Sequence, residues 1–300
     1  MLWAAGGVYR VLLDTQQQVE AAMRGRLKLE QRTGDRVVAG DRVWLDLQDD
    51  NSFTIESVEP RKSELARSAP GRGGQHAKIL VANVDQVIVV VAAARPEPNL
   101  RMIDRMLVLA EMNDLPSVIV VNKLDLIDPE AGRAKFAAYV AAGYDVLFTS
   151  VEQATGIEEL RALVCGRESV LTGPSGVGKS TILNRIQPGT DLRTAAISSA
   201  VVKGQHTTVA AQLIPLTCGG FIVDTPGIRE VGLFELNPES LDICFPEFRE
   251  HIGECRFTTS CTHTHEPDCA VRDAAVGGAI SQARFQSYQD LYREAVAGGL

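Results

Sequence analysis

In this chain Asn122-Lys123-Leu124-Asp125 stands ahead of Gly173-Pro174-Ser175-Gly176-Val177-Gly178-Lys179-Ser180, and that order constrains the fold more than any other feature. The second motif has the form of a phosphate loop. Its glycines let successive backbone N–H groups curl round phosphate oxygens, its Lys reaches the β and γ phosphates, and its Ser hydroxyl serves Mg2+. The first has the form of a base-reading turn, whose carboxylate accepts from the two N–H donors that guanine presents and adenine lacks. GTPase sheets ordinarily meet the phosphate loop first. Reversal of the two motifs implies a circularly permuted domain, with the base-reading half made before the phosphate-binding half.

The surroundings fit both motifs. Residues 169–172 read as a strand entering the loop, and a helix opens at Ser180 and Thr181; residues 117–121 form an apolar run ending at Asn122. Gly220-Phe221-Ile222-Val223 leads into Asp224-Thr225-Pro226-Gly227, a D-x-x-G pattern in which Asp224 would hold Mg2+ through water and the Gly227 N–H would sense the γ-phosphate. Gly204-Gln205-His206-Thr207-Thr208 lies where a switch segment would put a Thr on Mg2+. Ile228 occupies the position of the water-orienting Gln of Ras-like proteins, so unaided hydrolysis is expected to be slow. His206 is then a candidate to reach the water, the alternative being a surface or packing histidine. Catalytic candidates are Lys179, His206, Asp224 and Gly227. Nucleotide contacts are expected from Asn122, Lys123, Leu124 and Asp125, and from Gly173, Pro174, Ser175, Gly176, Val177, Gly178, Lys179, Ser180 and Thr181. Asn122 would contact N7 and tether the loop, Lys123 would pack along the base, and Thr149-Ser150 would offer a backbone N–H to it.

Around these motifs the chain alternates between apolar runs at 87–94, 117–121, 146–148 and 169–172 and helix-spaced stretches at 100–112, 135–142, 157–164 and 180–186. Such alternation predicts a parallel sheet covered on both faces. Residues before 68 read instead as short strands at 8–13, 18–23, 26–29, 42–45 and 53–55 with turn chemistry between them, which predicts a small five-stranded barrel of the OB type. A Gly- and Pro-rich stretch follows, flanked by Arg61, Lys62, Arg67, Arg72 and Lys78, and reads as a linker able to meet phosphates or simply a solvated connector. The expected division is 1–68 barrel, 69–79 linker, 80–240 permuted nucleotide domain and 241–300 a mainly helical C-terminal domain. Its last helix, about 280–296, carries Phe285, Tyr288, Leu291 and Tyr292 as a core-packing stripe.

Cys255, Cys261 and Cys269 cluster beside His263, whereas Cys165, Cys218 and Cys244 are scattered. Three thiolates and an imidazole suit a closed, structural Zn2+ site, with His265 and His251 as rival imidazoles and three buried thiols as the alternative to any metal. With 300 residues, 45% apolar and 23% charged, the chain has the makeup of two or three globular units rather than a disordered one. A net charge of −8 neither supports nor excludes an RNA partner. The first residues show no signal-type stretch and the most apolar run, 79–94, is too short and too polar to span a bilayer, so a cytoplasmic location is expected.

Taken together the residues resemble the RsgA (YjeQ-type) family of small ribosomal subunit biogenesis GTPases over nearly the whole length. Gly7-Val8-Tyr9, Gly40-Asp41 and 61–67 are similar to that family's OB domain, Ala82-Asn83-Val84-Asp85-Gln86 and Ile103-Asp104-Arg105 to the opening of its permuted GTPase domain, and Cys261-Thr262-His263 with Glu266-Pro267 and Cys269-Ala270-Val271 to its zinc segment. The resemblance favours His263 over His265, giving Cys255, Cys261, His263 and Cys269 as ligands of one structural Zn2+. It further implies binding of GTP and GDP with Mg2+, hydrolysis stimulated by the 30S subunit, a role in its late maturation, contacts to 16S rRNA from the OB and zinc domains, no membrane, and a monomer. A nucleotide-regulated RNA-binding protein with negligible hydrolysis is the alternative. Two departures stand out: the Cys255 to Cys261 gap is one residue longer than the family pattern, and no basic extension precedes the first strand.

Overall fold

The computed structural model describes residues 1–5, 7–25, 36–67, 78–188, 211–224 and 237–298. His206, Thr207, Thr208, Gly227, Ile228, the strand expected at 26–29 and most of the expected linker lie outside the described residues.

Among the described residues five strands open the chain: β1 (Trp3–Ala5), β2 (Val8–Leu12), β3 (Gln18–Met23), β4 (Val43–Leu47) and β5 (Phe53–Val58). They form one sheet in the order β1-β2-β3-β5-β4, antiparallel except where β3 runs parallel to β5. That is the arrangement of a partly open OB-type barrel. The strand at Trp3–Ala5 was not foreseen, because three residues are too few to show a period-2 pattern. Alternation is clean in β3, where Val19, Ala21 and Met23 point inward and Gln18, Glu20 and Ala22 outward.

Next come β6 (Glu64–Arg67) and β7 (Lys78–Ala82), paired antiparallel. The strand thus starts at Lys78, inside the stretch expected to be linker. A polar joint secures the barrel here. Asp41 is fully buried and takes two bonds from Arg61, at 2.7 and 3.0 Å, while Asn83 accepts from the Lys62 N–H at 2.9 Å and donates to the Gly40 carbonyl at 2.9 Å. Without Arg61 the buried carboxylate would keep the Val38 N–H bond at 2.8 Å but lose its charge partner, which is strongly destabilising.

Among the described residues the central sheet has six strands: β8 (Gln86–Ala92), β9 (Ser117–Asn122), β10 (Asp145–Phe148), β11 (Glu168–Thr172), β12 (Gln212–Pro215) and β13 (Phe221–Asp224). Their order is β10-β9-β8-β11-β13-β12, all parallel except β12. Strand β8 is buried along its whole length. Val87, Val89 and Val91 enter the cluster under helices α1 (Leu100–Glu111) and α2 (Pro129–Ala141); Ile88, Val90 and Ala92 enter the one under α3 (Ile157–Val164) and α4 (Lys179–Ile186). Two covered faces explain the uninterrupted apolar run.

Helix α1 shows how the sequence sets such an element. Asn99 caps it by accepting from the Met102 N–H at 3.2 Å, and Ile103, Met106, Leu107 and Ala110 fall on the buried face. Burial of Ile103, Met106 and Leu107 contributes about 1.5–3 kcal/mol each. Asp114 in left-handed conformation and then Pro116 prevent continuation.

The C-terminal region contains 3-10 turns between 238 and 260, then α5 (Ala270–Val276) and α6 (Gln282–Gly298). Its apolar cluster gathers Phe245, Phe248, Phe285, Tyr288 and Leu291, as the stripe predicted, and includes Val108 of α1. Arg284 was not anticipated as a core residue. It is 2% exposed, donates to Asp104 at 2.6 Å and to both oxygens of Glu247 at 2.7 and 3.0 Å, and lies 4.6 Å from the Phe245 ring centroid. Burial works against its charge, and the carboxylates of Glu247 and Asp104 outweigh that. Cys165 and Cys218, which looked scattered in sequence, form a disulfide with Cα atoms 5.4 Å apart, tying the turn between β12 and β13 to the end of α3. No helix among the described residues is long and apolar enough to cross a membrane.

Candidate nucleotide and metal sites

Strand order creates a crevice. From β8 the chain moves outward through β9 to β10, while β11 sits on the other side of β8 and leads toward β13 and β12. The carboxyl ends of β8 and β11 therefore flank a topological switch point, where open α/β sheets place their ligands. The phosphate loop follows β11 and the base-reading turn follows β9, so both predicted motifs open onto this one crevice.

Their junction is built from short polar contacts. Asn122, 2% exposed, donates through Nδ2 to the Val177 carbonyl at 2.9 Å and accepts from Thr149 Oγ1 at 3.2 Å. Lys123, in left-handed conformation with φ 61°, donates through Nζ to the carbonyls of Arg95 at 2.5 Å and Gly176 at 2.6 Å. Gly178 has φ 101°, and a Cβ there would fall 2.4 Å from Asn122 Nδ2, so only glycine permits this close approach. At the loop entrance Gly173 crosses β8 so tightly that a Cβ would lie 2.0 Å from the Val90 carbonyl oxygen. Buried Val177 anchors the loop from below.

Helix α4 starts at Lys179, aiming its N-terminal N–H groups at the crevice. Lys179 Nζ donates to the carbonyls of Gly173 and Pro174, both at 2.6 Å, across the concavity of its own loop. Ser180 and Thr181 are exposed at the rim, as are Ser175 and Gly176. Leu124 is buried beneath the turn, leaving Asp125 half-buried above it. Ser150 Oγ donates to Asp125 Oδ1 at 2.5 Å. The N–H groups of Thr149 and Ser150, expected to face the base, are given to Val121 and Thr155 at 2.8 and 3.0 Å, and the Ser150 hydroxyl adds a contact to Asp125 that was not expected. Nothing local in sequence marks that pair, which is 25 residues apart. Asp224 ends β13 at the carboxyl edge of the sheet, beside β11 and paired in register with Leu171.

A second site lies in the C-terminal region. Cys255, Cys261, His263 and Cys269 are all buried, and their ligand atoms fall within 4.8 Å of one another. Sγ of Cys255 and Cys269 are 3.9 Å apart, and His263 Nδ1 stands 3.6 and 3.3 Å from them. Tetrahedral zinc, with Zn–S of about 2.3 Å and Zn–N of about 2.0 Å, needs spacings of about 3.8 and about 3.5 Å, so the donor set fits. Burial pushes the Cys261 thiol up to about 12 and raises Cys269 as well, a penalty that a divalent cation among them would reverse. His265 is turned away, its side chain 82% exposed and its Nδ1 2.9 Å from Thr264 Oγ1. Cys244 is buried nearby but gives its thiol to the Ser240 carbonyl at 3.2 Å.

Glu266 shapes the loop between the ligands. It accepts from the Thr262 N–H at 2.9 Å and hydroxyl at 2.5 Å, and from the N–H groups of Thr264 and His265 at 3.1 and 3.2 Å. Burial opposes its charge, yet the bonds from Thr262 and the loop N–H groups hold it down to about 2.

The sequence model of the RsgA GTPase family matches residues 58–234. The small ribosomal subunit biogenesis GTPase RsgA of Gemmatimonas aurantiaca is 51% identical over 291 residues, covering 96% of this chain and 94% of that one. Its namesake in Thermotoga maritima is 36% identical over 283 residues, covering 94% and 90%. Among solved structures, YjeQ from Thermotoga maritima superposes with a TM-score of 0.80 at 34% identity, covering 98% of this chain and 96% of that one. YloQ, described as a circularly permuted GTPase, does so with 0.75 at 28% identity, covering 99% and 94%. Motif order, sheet topology, the crevice and these likenesses agree, and the chain belongs to the RsgA GTPase family.

Proposed function

We propose that the protein hydrolyses GTP in the crevice between β8 and β11 and acts in the biogenesis of the small ribosomal subunit, with hydrolysis stimulated by the 30S particle. The carrying observation is that the base-reading turn is bonded directly to the phosphate loop, through Asn122 to Val177 and Lys123 to Gly176. Base and phosphates are thereby read by one rigid unit.

In this reading Asp125, oriented by Ser150, accepts from the guanine N1–H and N2–H groups, and Lys123 lies along the base. Asn122, buried, serves as the tether. The N–H groups of Gly173, Pro174, Ser175, Gly176, Val177 and Gly178 and the start of α4 receive the phosphates. Lys179 exchanges its two loop carbonyls for β and γ phosphate oxygens, a charge-assisted replacement favoured by the substrate's negative charge. Bound Mg2+ would neutralise charge developing between those phosphates, with Ser180 and Asp224 as the residues to hold it. Leu124 and Thr181 support the two motifs from beneath and beside. His206 and Gly227 keep the roles of water-side base and γ-phosphate sensor. Cys255, Cys261, His263 and Cys269 hold one structural zinc. The small-subunit name carried by the relatives supports a 30S partner, with 16S rRNA met by the barrel and zinc region of a cytoplasmic monomer.

The test is steady-state hydrolysis of GTP and ATP, alone and with purified 30S or 50S subunits. Slow GTP turnover that rises only with 30S supports the proposal. GTP binding without turnover under any condition would favour the RNA-binding alternative, and equal use of ATP would remove the base assignment.

A further inference from the structure

We infer that Asp242 is a positioning residue for His263, holding the imidazole with Nδ1 turned to the three thiols and joining the metal cluster to the chain that arrives from the nucleotide domain. The inference rests on the zinc reading above.

His263 sits at the floor of the C-terminal cluster with its side chain fully shielded from solvent. The ring packs against the Phe248 and Tyr288 pair, whose centroids are 6.5 and 6.2 Å away. Its Nδ1 faces Cys255 and Cys269, so Nε2 points to the opposite side. An imidazole that binds a metal through Nδ1 carries its proton on Nε2, and a buried N–H calls for an acceptor. Nε2 meets no aligned hydrogen-bond partner among the described residues, and Asp242 Oδ2 stands 3.4 Å from it. A carboxylate behind a metal-bound histidine fixes the tautomer and ring orientation and raises the basicity of the ligand nitrogen.

Asp242 is itself held in place for this task. Its Oδ1 accepts from the Ile243 N–H at 2.9 Å, which leaves Oδ2 as the oxygen turned to the ring. Its carbonyl accepts from the Phe245 N–H at 3.1 Å, and its neighbour Leu241 is fully buried in the same apolar cluster as the thiols. The segment carrying it runs from Asn237, ahead of the first ligand Cys255 and downstream of Asp224 at the end of β13. Metal loading therefore acts on this segment as well as on the four ligands.

The experiment uses the full-length protein with zinc as the probe, in wild type, Asp242→Ala and Asp242→Asn. Competition with a chromophoric chelator measures zinc affinity, and nitrogen-15 spectra of the His263 ring identify which nitrogen is metallated and which is protonated. Expected are one zinc per wild-type chain bound through Nδ1, an affinity weaker by about 10- to 100-fold in Asp242→Ala, the usual cost of removing the acceptor behind a metal-bound imidazole, and partial recovery in Asp242→Asn, whose amide oxygen still accepts. Wild-type affinity in Asp242→Ala, or metallation through Nε2, overturns the inference. Equal losses in both variants together with a lowered melting temperature of the zinc-free protein overturn it too, by showing a packing role. A wild type that takes up no zinc at all refutes the zinc reading itself, a result distinct from the others.

Discussion

The nucleotide crevice and the Cys/His region solve the same problem of holding irregular backbone still, by opposite means. In the crevice the loops after β9 and β11 hang from neighbouring parallel strands and are bonded to each other through Asn122 and Lys123. Around Cys255 to Cys269 the chain makes short 3-10 turns among the described residues, and its fixed points are three thiols, one imidazole and the Glu266 hub. The first region is organised by its own hydrogen bonds. The second is a buried donor set whose thiols a divalent cation would hold as thiolates. Irregular segments can thus be fixed either by a sheet that supplies the frame or by a metal that replaces one.

The sharpest way to break this comparison is to remove a thiolate. Cys261→Ser should cost more than about 4 kcal/mol of the roughly 10–16 kcal/mol that a structural zinc supplies. Hydrogen exchange should show lost protection from 244 to 291 with the amides of β8 unchanged; equal loss in both regions would mean that the crevice depends on the cluster. Next in size, Lys179→Ala should lower GTP turnover by about 10²–10³, the scale of losing one phosphate donor, with the melting temperature preserved. Retained turnover would refute the site. A smaller effect is expected for Asp125→Asn, which exchanges an ionic acceptor for a neutral amide and should reduce the preference for GDP over ADP by about 10- to 100-fold, corresponding to about 1.5–3 kcal/mol. Titration calorimetry with both nucleotides measures it.

The smallest effect concerns the joint under the barrel. Burial, with Asp85 beside it, pushes Glu168 up to about 7 against an ordinary 4.5. A raised carboxylate favours folding while protonated, so its contribution is fully present below pH 4.5 and is lost as pH rises through 7. Thermal melts of wild type and Glu168→Gln between pH 5 and 8 should converge at the acid end and separate toward pH 8, with the variant the more stable. Parallel curves would remove Glu168 from the account.

Much of the architecture was legible because its signals are local. The phosphate loop and base-reading tetrapeptide each sit on a flanking strand, β8 betrays its two covered faces by an unbroken apolar run, and α6 shows its stripe. What escaped depends on contacts distant in sequence. Ser150 reaches Asp125 across 25 residues, Arg284 reaches Asp104 across 180, and Cys165 meets Cys218 across 53. A buried arginine reads in sequence as one more charge on a helix face. Only the fold reveals that two carboxylates and an aromatic ring enclose it. The candidate metal cluster was legible in two steps: spacing supplied the thiols, the family resemblance favoured His263 over His265, and the fold adds that the first ring is buried beside the thiols while the second is exposed.

The pairing of β11 with β8 bears on how the molecule is made. Strands β8, β9 and β10 are consecutive in the chain and adjacent in the sheet, so they emerge together during synthesis and can pair before anything downstream exists. Strand β11 arrives later and must dock beside β8 across 83 residues, where Gln86 Nε2 meets Ser169 Oγ at 2.8 Å. Long-range docking of this kind is the slow step in sheet assembly. A nascent chain therefore carries the base-reading turn before it possesses a phosphate loop. The phosphate-binding half is added only later, when β11 docks beside β8.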